Sequence, residues 1–176
     1  MQVLSRQRGV SLIEVMMSVL IFSIGLIGLA GLMVMSTRSN HSAYLRTQVT
    51  FLANNMADRM SANPEAIWNE NYDSNDYPVA AGTVGCGSGS ACTPADLAVH
   101  DQRLWSDQLR TFLPNPAAKI DCGGLTSAGY DPTSQLAMRP PYGGSCKMTI
   151  QWSEQGAGDK DHRGNVTQTF VWEFQP

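Results

Sequence analysis

A long apolar run near the N-terminus, Val15–Met35, constrains the fold of this chain more than any other feature. It contains no charged residue, and as a helix it would span roughly 31 Å, about the thickness of a bilayer's hydrocarbon core. Arg6 and Arg8 precede it, and no small-residue cleavage site of the secretory type follows it. The positive-inside rule places this basic end in the cytoplasm. We therefore expect residues 10–35 to form a membrane-spanning helix, with the rest of the chain outside the cytoplasm.

One acidic residue, Glu14, lies at the start of this apolar segment, and Gly9 lies just before it. A carboxylate in the middle of a membrane helix costs about 2.5–3.5 kcal/mol on insertion scales, and less near a helix end. Cleavage after Gly9 would supply a positive partner, because it would create an α-amino group on Val10, one helical turn from Glu14. The alternative is an interfacial glutamate that reaches the water of the headgroup layer.

These residues resemble a known family. The stretch RGVSLIEVMMSVLIFSIGLIGL is similar to the class III signal of type IV pilins, which has a basic leader, a glycine, a cleavage site and a hydrophobic helix with glutamate as its fifth residue. Gly9 matches the residue before the cut, Val10 the mature N-terminus and Glu14 the glutamate. The family usually has phenylalanine where this chain has Val10. The N-terminal helix sequence together with the later stretch ANNMADRMSANP most resembles the PilV-type minor pilins.

The resemblance implies a structural role without enzymatic activity. Residues 1–9 would be a leader removed by a prepilin peptidase between Gly9 and Val10, and Val10 would then be N-methylated. Glu14 would pair with a mature N-terminus as subunits pass from the inner membrane into a filament. The implied partners are this peptidase, other minor pilins, the major pilin and a tip adhesin, and no cofactor is implied.

Apolar residues at helical spacing follow the membrane segment. They recur every three or four positions and form one face of a helix: Leu45, Val49, Leu52, Met56 and Met60. Asn63-Pro64 ends the pattern, because a residue before proline disfavours helix. We expect one helix from Val10 to about Ser61, in which residues 36–62 form an amphipathic continuation packed on a globular head.

Residues 63–176 are expected to form that head, a small α+β domain. Pro64 could begin a short helical turn, and residues 69–91 are expected to form a loop. Thr93-Pro94 predicts a helix start, and the helix would end before Pro114. Four apolar residues support it: Leu97, Leu104, Leu109 and Phe112. Two alternating segments predict an antiparallel hairpin with its turn at 156–164 and its apolar face on the long helix: Cys146, Met148, Ile150 and Trp152, then Val166, Phe170, Trp172 and Phe174.

All four cysteines lie in the expected head: Cys86, Cys92, Cys122 and Cys146. An even number in an oxidising compartment indicates disulfides, and three connectivities are open. We favour Cys86–Cys92 with Cys122–Cys146. A zinc site fits poorly, since there is no C-x-x-C and the histidines lack finger-like spacing.

The composition and motifs exclude some function classes. The chain has 12 Lys+Arg against 15 Asp+Glu and a net charge of −3, which argues against a nucleic-acid partner. It has no H-E-x-x-H, G-x-S-x-G or Walker motif, so we predict no catalytic, metal or cofactor-binding residues.

The predicted fold is thus α+β and type IV pilin-like, with a long N-terminal helix packed on a small antiparallel sheet. The predicted function is that of a minor pilin in type IV pilus assembly, motility and adhesion. One rival is a minor pseudopilin of a type II secretion system. The other is a signal-anchored periplasmic enzyme or binding domain in which Glu14 is incidental.

Overall fold

A computed structural model of the chain describes residues 9–80, 86, 91–123, 132–155 and 164–176. They fall into two compact units, one ending at His41 and the other covering Ser42–Pro176. The helices and strands of the described residues are, in chain order, α1 (Leu12–Ser61), α2 (Pro64–Trp68), β1 (Ser74–Tyr77), α3 (Pro94–Phe112), β2 (Ala117–Cys122), a 3₁₀ helix (Leu136–Met138), β3 (Cys146–Gln155) and β4 (Asn165–Phe174).

Helix α1 begins after Ser11, whose carbonyl accepts hydrogen bonds from the amides of Glu14 and Val15 at 3.0 and 3.3 Å. It therefore starts two residues later than predicted. It ends at Ser61, because Asn63 precedes Pro64 and adopts a non-helical conformation. The end of the helix is as predicted, and Pro64 begins the short α2.

Helix α3 has the start that its sequence predicts. Thr93 is the N-cap, and its side chain accepts a hydrogen bond from the Asp96 amide at 3.1 Å. Pro94 occupies the first turn, where its missing N–H has no helical partner to lose. The helix ends at Phe112, before Pro114, as predicted.

The strands form one antiparallel sheet in the order β1-β2-β3-β4. The predicted hairpin of β3 and β4 is confirmed, with a register that runs from Cys146 opposite Phe174 to Gln155 opposite Asn165. Most of its predicted turn, residues 156–163, lies outside the described residues.

The core of the second unit contains the predicted face of α1. Leu45, Val49, Leu52, Met56 and Met60 are all buried. They share one cluster with residues of α3 and the sheet, among them Trp105, Leu109, Ile120, Met148 and Ile150. Trp105 also donates a hydrogen bond from Nε1 to the Leu52 carbonyl at 2.9 Å. The α+β fold is therefore confirmed, with a long N-terminal helix and a small antiparallel sheet.

Two strands were not predicted. Strand β1 lies inside the segment that was predicted to be a loop, so that prediction is wrong there. Its four residues, SNDY, lack apolar alternation, and pairing with β2 makes them extended. Strand β2 alternates exposed and buried residues, with Ala118, Ile120 and Cys122 inside.

Some predicted apolar residues are not in the core. In α3, Leu104 and Phe112 are partly exposed, and the buried face instead contains Ala98, Asp101, Trp105, Ser106 and Leu109. In β4, Phe170, Trp172 and Phe174 pack against the core. Val166 is exposed, and it lies opposite Glu154 near the turn end of the hairpin.

Candidate functional site

The N-terminal motif residues lie just before and within the first turn of α1. Gly9 and Val10 precede the helix, and Glu14 is an acidic residue of its first turn. A Cβ added to Gly9 would meet no atom of the described chain within 4 Å. Packing within the chain therefore does not explain a glycine at this position.

Glu14 is exposed, and its carboxylate has no hydrogen bond or ion pair with any residue that the structure describes. The helix N-terminus favours a negative charge there by about 0.3–1 kcal/mol. In an apolar environment this contribution is smaller than the cost of burying a charge. The carboxylate therefore still lacks a partner that could neutralise it.

The apolar part of α1 leaves its side chains uncovered. Every large apolar residue from Val10 to Met35 is exposed, with Leu12 at 79% and Ile27 at 74%. Exposed apolar surface on this scale marks a membrane or protein contact. Among the described residues, α1 is the one helix that is long and apolar enough to cross a membrane.

The two serine hydroxyls between Val15 and Met35 form hydrogen bonds within the helix. Ser18 donates a hydrogen bond to the Glu14 carbonyl at 2.7 Å, and Ser23 donates one to the Val19 carbonyl at 2.7 Å. Both hydroxyls can therefore enter an apolar environment without losing a hydrogen bond. The Glu14 side chain is then the one charged group of the segment from Val10 to Met35.

Residues 4–30, which include Gly9, Val10 and Glu14, match the family model described as the prokaryotic N-terminal methylation motif. The match supports a type IV pilin-like, prepilin family. No curated protein and no solved structure matches the chain.

The methylation motif supports a pilin-like or pseudopilin-like role, and proteins with this motif are typically structural. It implies processing by a prepilin peptidase and assembly with other pilins. The exposed apolar helix is consistent with membrane anchoring and display on a pilus. The match covers residues 4–30 only and says nothing about the head.

The four cysteines form two bonded pairs in the structure, Cys86–Cys92 and Cys122–Cys146. Cys122 and Cys146 are partners in the register of β2 and β3, so their disulfide crosses directly between the two strands. In the part of the chain that is described, no three His, Cys, Asp or Glu side chains come together in a way that could hold a metal ion.

A polar cluster inside the head was missed by sequence reasoning. The carboxylate of Asp101 is buried and accepts hydrogen bonds from Arg59 and from the hydroxyl of Tyr72, each at 2.9 Å. Asn63 donates to the Tyr72 hydroxyl at 3.2 Å and to the Pro94 carbonyl at 2.8 Å. The cluster thus joins the end of α1 to α3.

Burial raises the pKa of the Tyr72 hydroxyl, and the Asp101 carboxylate raises it further, although the hydrogen bond from Asn63 lowers it. Tyr72 therefore keeps its proton and remains the donor to Asp101. No feature of the local sequence marks Asp101 as buried, because its partners lie far away along the chain.

A second acid of the head, Asp73, is half-buried and lies between α2 and β1. Its two carboxyl oxygens are 3.2 and 3.3 Å from the amide nitrogen of Cys122, the last residue of β2. Burial raises its pKa to about 6, since this outweighs the lowering by the Cys122 N–H. The sequence alone gives no sign of this contact.

Proposed function

We propose that the chain is a minor pilin, a structural subunit needed for type IV pilus assembly. The observation that carries this proposal is the unpaired Glu14 in the first turn of an exposed apolar helix, directly after Gly9 and Val10 and inside the methylation motif. A simple membrane anchor needs neither the acid nor the glycine.

The first step in the proposed function is processing. A prepilin peptidase would remove residues 1–9 by cutting between Gly9 and Val10, and Val10 would then be N-methylated. The cut comes before the apolar segment because the peptidase works at the cytoplasmic face of the membrane. Gly9 has no Cβ, so an extended backbone can enter a tight active site there. In the described part of the chain a Cβ at Gly9 would meet no atom within 4 Å, so packing there does not compete with this role.

The second step is assembly. The carboxylate of Glu14 would meet the α-amino group of Val10, on its own chain or on a neighbouring subunit. In an apolar filament interior an unpaired charge is costly, so such a pair can fix the register of one subunit against the next. Residues 10–35 would lie in the inner membrane before assembly and among other pilin helices afterwards.

The proposed location follows from the same features. The chain would cross the inner membrane once, with the head in the periplasm, and would later be part of the surface pilus. Two disulfides in the head fit an oxidising compartment. The proposed partners are the prepilin peptidase, other minor pilins, the major pilin and a tip adhesin.

Deletion and complementation test the proposal. Deleting the gene should reduce the number of surface pili and twitching motility, and the complementing protein should appear in sheared pili. Normal piliation with lost secretion of exported proteins would instead identify a type II secretion pseudopilin. A full-length chain that is never cut after Gly9 and affects neither process would indicate a signal-anchored enzyme or binding domain.

A further inference from the structure

The sheet has two edge strands, β1 and β4, and only β1 is protected against further pairing. Strand β1 has four residues, its pairing with β2 is irregular, and the Asp76 N–H already donates to the Ser74 hydroxyl at 3.2 Å. Short and irregular edge strands are common protections against unwanted strand pairing. Strand β4 has ten residues in unbroken register with β3, and it contains neither lysine nor proline.

The hydrogen bonds of β3 show which backbone groups of β4 point away from the sheet. The Ser153 N–H donates to the Pro114 carbonyl, and the Ser145 carbonyl accepts from the Gly123 N–H, each at 2.9 Å. Odd-numbered residues here therefore face β2. Backbone groups alternate along an antiparallel strand, so the even-numbered residues of β3 bond to the even-numbered residues of β4. The residues of β4 whose N–H and C=O groups point outward are thus Thr167, Thr169, Val171 and Glu173.

We call residues Thr167–Glu173 the open edge. In the described part of the chain, no group donates to or accepts from its outward backbone groups. The inner face beside it is aromatic, since Trp172 and Phe174 stack with ring centroids 4.6 Å apart and remain partly exposed. Met148, opposite Trp172 in β3, is fully buried. A further strand with apolar residues at alternate positions would therefore complete both the backbone pairing and the cover of the core.

A second copy of this chain fits the open edge poorly. Because β1 is protected, the second copy could offer only its own β4. An antiparallel pair of identical strands has a two-fold axis normal to the sheet, which would reverse the direction of Leu45–Met60 in the second head. Subunits that enter one membrane by the same end run in one direction. A parallel pair would place the aromatic face of one copy beside the outer face of the other, so the pairing strand belongs to a different subunit.

The open edge is also too small to hold a free protein by itself. A strand of ten residues is about 34 Å long, and pairing along it buries on the order of 800 Å², less than the roughly 1,200–2,000 Å² of stable interfaces. Such a contact becomes effective when the two proteins are already held side by side, because tethering raises the effective concentration. A second subunit with an apolar helix like Val10–Met35 would be held in this way.

We propose that the open edge pairs with an extended strand from the head of a neighbouring pilin-type subunit, so that the two heads share one sheet. The apolar residues of the added strand lie beside Phe170 and Trp172, and its backbone bonds to Thr169 and Val171. This inference rests on the proposed function, because it takes the neighbour to be anchored by a similar helix. Strand β4 then selects the neighbour in the head, whereas Glu14 acts in the apolar segment.

Proline at an outward position tests the open edge without breaking the pairing of β3 with β4. The Val171 N–H points outward, so Val171→Pro removes a donor that β3 does not use. Thr169→Pro does the same at the adjacent outward position, and Val171→Ala keeps the N–H as the matched control. Both proline variants should be cut and should form both disulfides, but their amount in sheared pili should fall on the order of tenfold. Recovery of both proline variants at the level of Val171→Ala would overturn the proposal.

Photochemical cross-linking identifies the neighbour in cell envelopes. A benzophenone amino acid would replace Thr169 at the open edge or, as the control, the exposed Lys119 in the central strand β2. A product specific to position 169 that contains another subunit with a class III signal, and that Val171→Pro removes, would support the proposal. A product between two copies of this chain, a product with any other protein, or no product would overturn it. Because cross-linking needs no assembled pilus, its failure is distinguishable from a deletion that leaves piliation unchanged.

Discussion

Arg59 and Asp101 form an ion pair that joins the end of α1 to the middle of α3. The Arg59 Nη1 atom lies 2.9 Å from Asp101 Oδ1, and the two side chains are 25% and 8% exposed. The other oxygen of Asp101 accepts a hydrogen bond from the Tyr72 hydroxyl at 2.9 Å. The carboxylate therefore binds both the guanidinium of Arg59, which also donates to Asn55 Oδ1, and the hydroxyl of Tyr72.

Replacing Asp101 should consequently destabilise the head. Asp101→Ala leaves the Tyr72 hydroxyl and part of the Arg59 charge unsatisfied, and we expect a loss of about 3 kcal/mol in the free energy of unfolding. Urea unfolding followed by tryptophan fluorescence measures this, since Trp105 is buried in the same core.

Asp107 provides the matched control in the same helix. Its pair with Arg110, at 3.2 Å, is exposed at both ends, with side-chain exposures of 65% and 41%. Asp107→Ala should cost less than about 1 kcal/mol. Equal losses in the two variants would show that the Asp101 cluster adds nothing beyond an ordinary surface pair.

The disulfide connectivity gives a second prediction. Protein purified from an oxidising compartment should contain no free thiol, and non-reducing peptide maps should contain a Cys122–Cys146 peptide. A Cys86–Cys122 or Cys92–Cys146 peptide would contradict this pairing, and bound zinc with four reduced cysteines would contradict the disulfides altogether.

The two bridges should differ in their effect on stability. Cys122 and Cys146 are 24 residues apart, and Cys86 and Cys92 only 6. In the chain-entropy model, replacing both cysteines of the longer loop by serine costs about 3.5 kcal/mol, against about 2 kcal/mol for the shorter loop. Urea unfolding of the two double variants compares them directly, and a larger loss for the Cys86–Cys92 pair would contradict this order.

Processing gives a third prediction. Mass spectrometry of the mature protein should find Val10 as the first residue, with one added methyl group on its nitrogen. Replacing Gly9 by a bulky residue such as leucine should leave the precursor uncut, whereas Gly31→Ala, inside the helix and with open space around it, should not affect the cut. An intact Met1, or a cut after Met35, would remove the pilin interpretation.

The long helix and the hairpin could be predicted because their patterns are local. The face from Leu45 to Met60 repeats at helical spacing, and Thr93-Pro94 begins α3 with a hydrogen bond between near neighbours. Strand β1 could not be predicted, since SNDY becomes extended only by pairing with β2, far away along the chain. Strand β2 does carry a signal, because Ala118, Ile120 and Cys122 alternate with polar residues.

The polar contacts of the head could not be predicted for the same reason. The buried face of α3 has Ala98, Asp101, Trp105 and Leu109 at helical spacing. Of these the sequence prediction named only Leu109, and its Leu104 and Phe112 are exposed. That Asp101 can be buried depends on Arg59 and Tyr72, at sequence separations of 42 and 29. The motif around Gly9 and Glu14 could be predicted from the sequence because its residues lie within a few positions of one another and depend on no distant contact.

The final prediction separates membrane anchoring from assembly at Glu14. Replacing Glu14 by leucine makes the apolar segment more hydrophobic, so membrane insertion should be kept or strengthened. Cleavage should also be kept, because Gly9 and the basic leader are unchanged. Productive assembly should be lost, since the Val10 amino group would find no carboxylate in the apolar filament interior.

The measurements are the membrane fraction, the mature N-terminus, the number of surface pili and the amount of this protein in sheared pili. Glu14→Asp should give a partial defect, because its carboxylate reaches less far toward the Val10 amino group. Ser18→Ala is the matched control one turn farther along, since it removes a hydroxyl that bonds only to its own helix, and it should assemble normally.

A Glu14→Leu protein that inserts, is cut and supports normal piliation would show that Glu14 is an interfacial residue with no role in pairing. One that inserts and matures but is absent from sheared pili would support the pairing of Glu14 with a mature N-terminus.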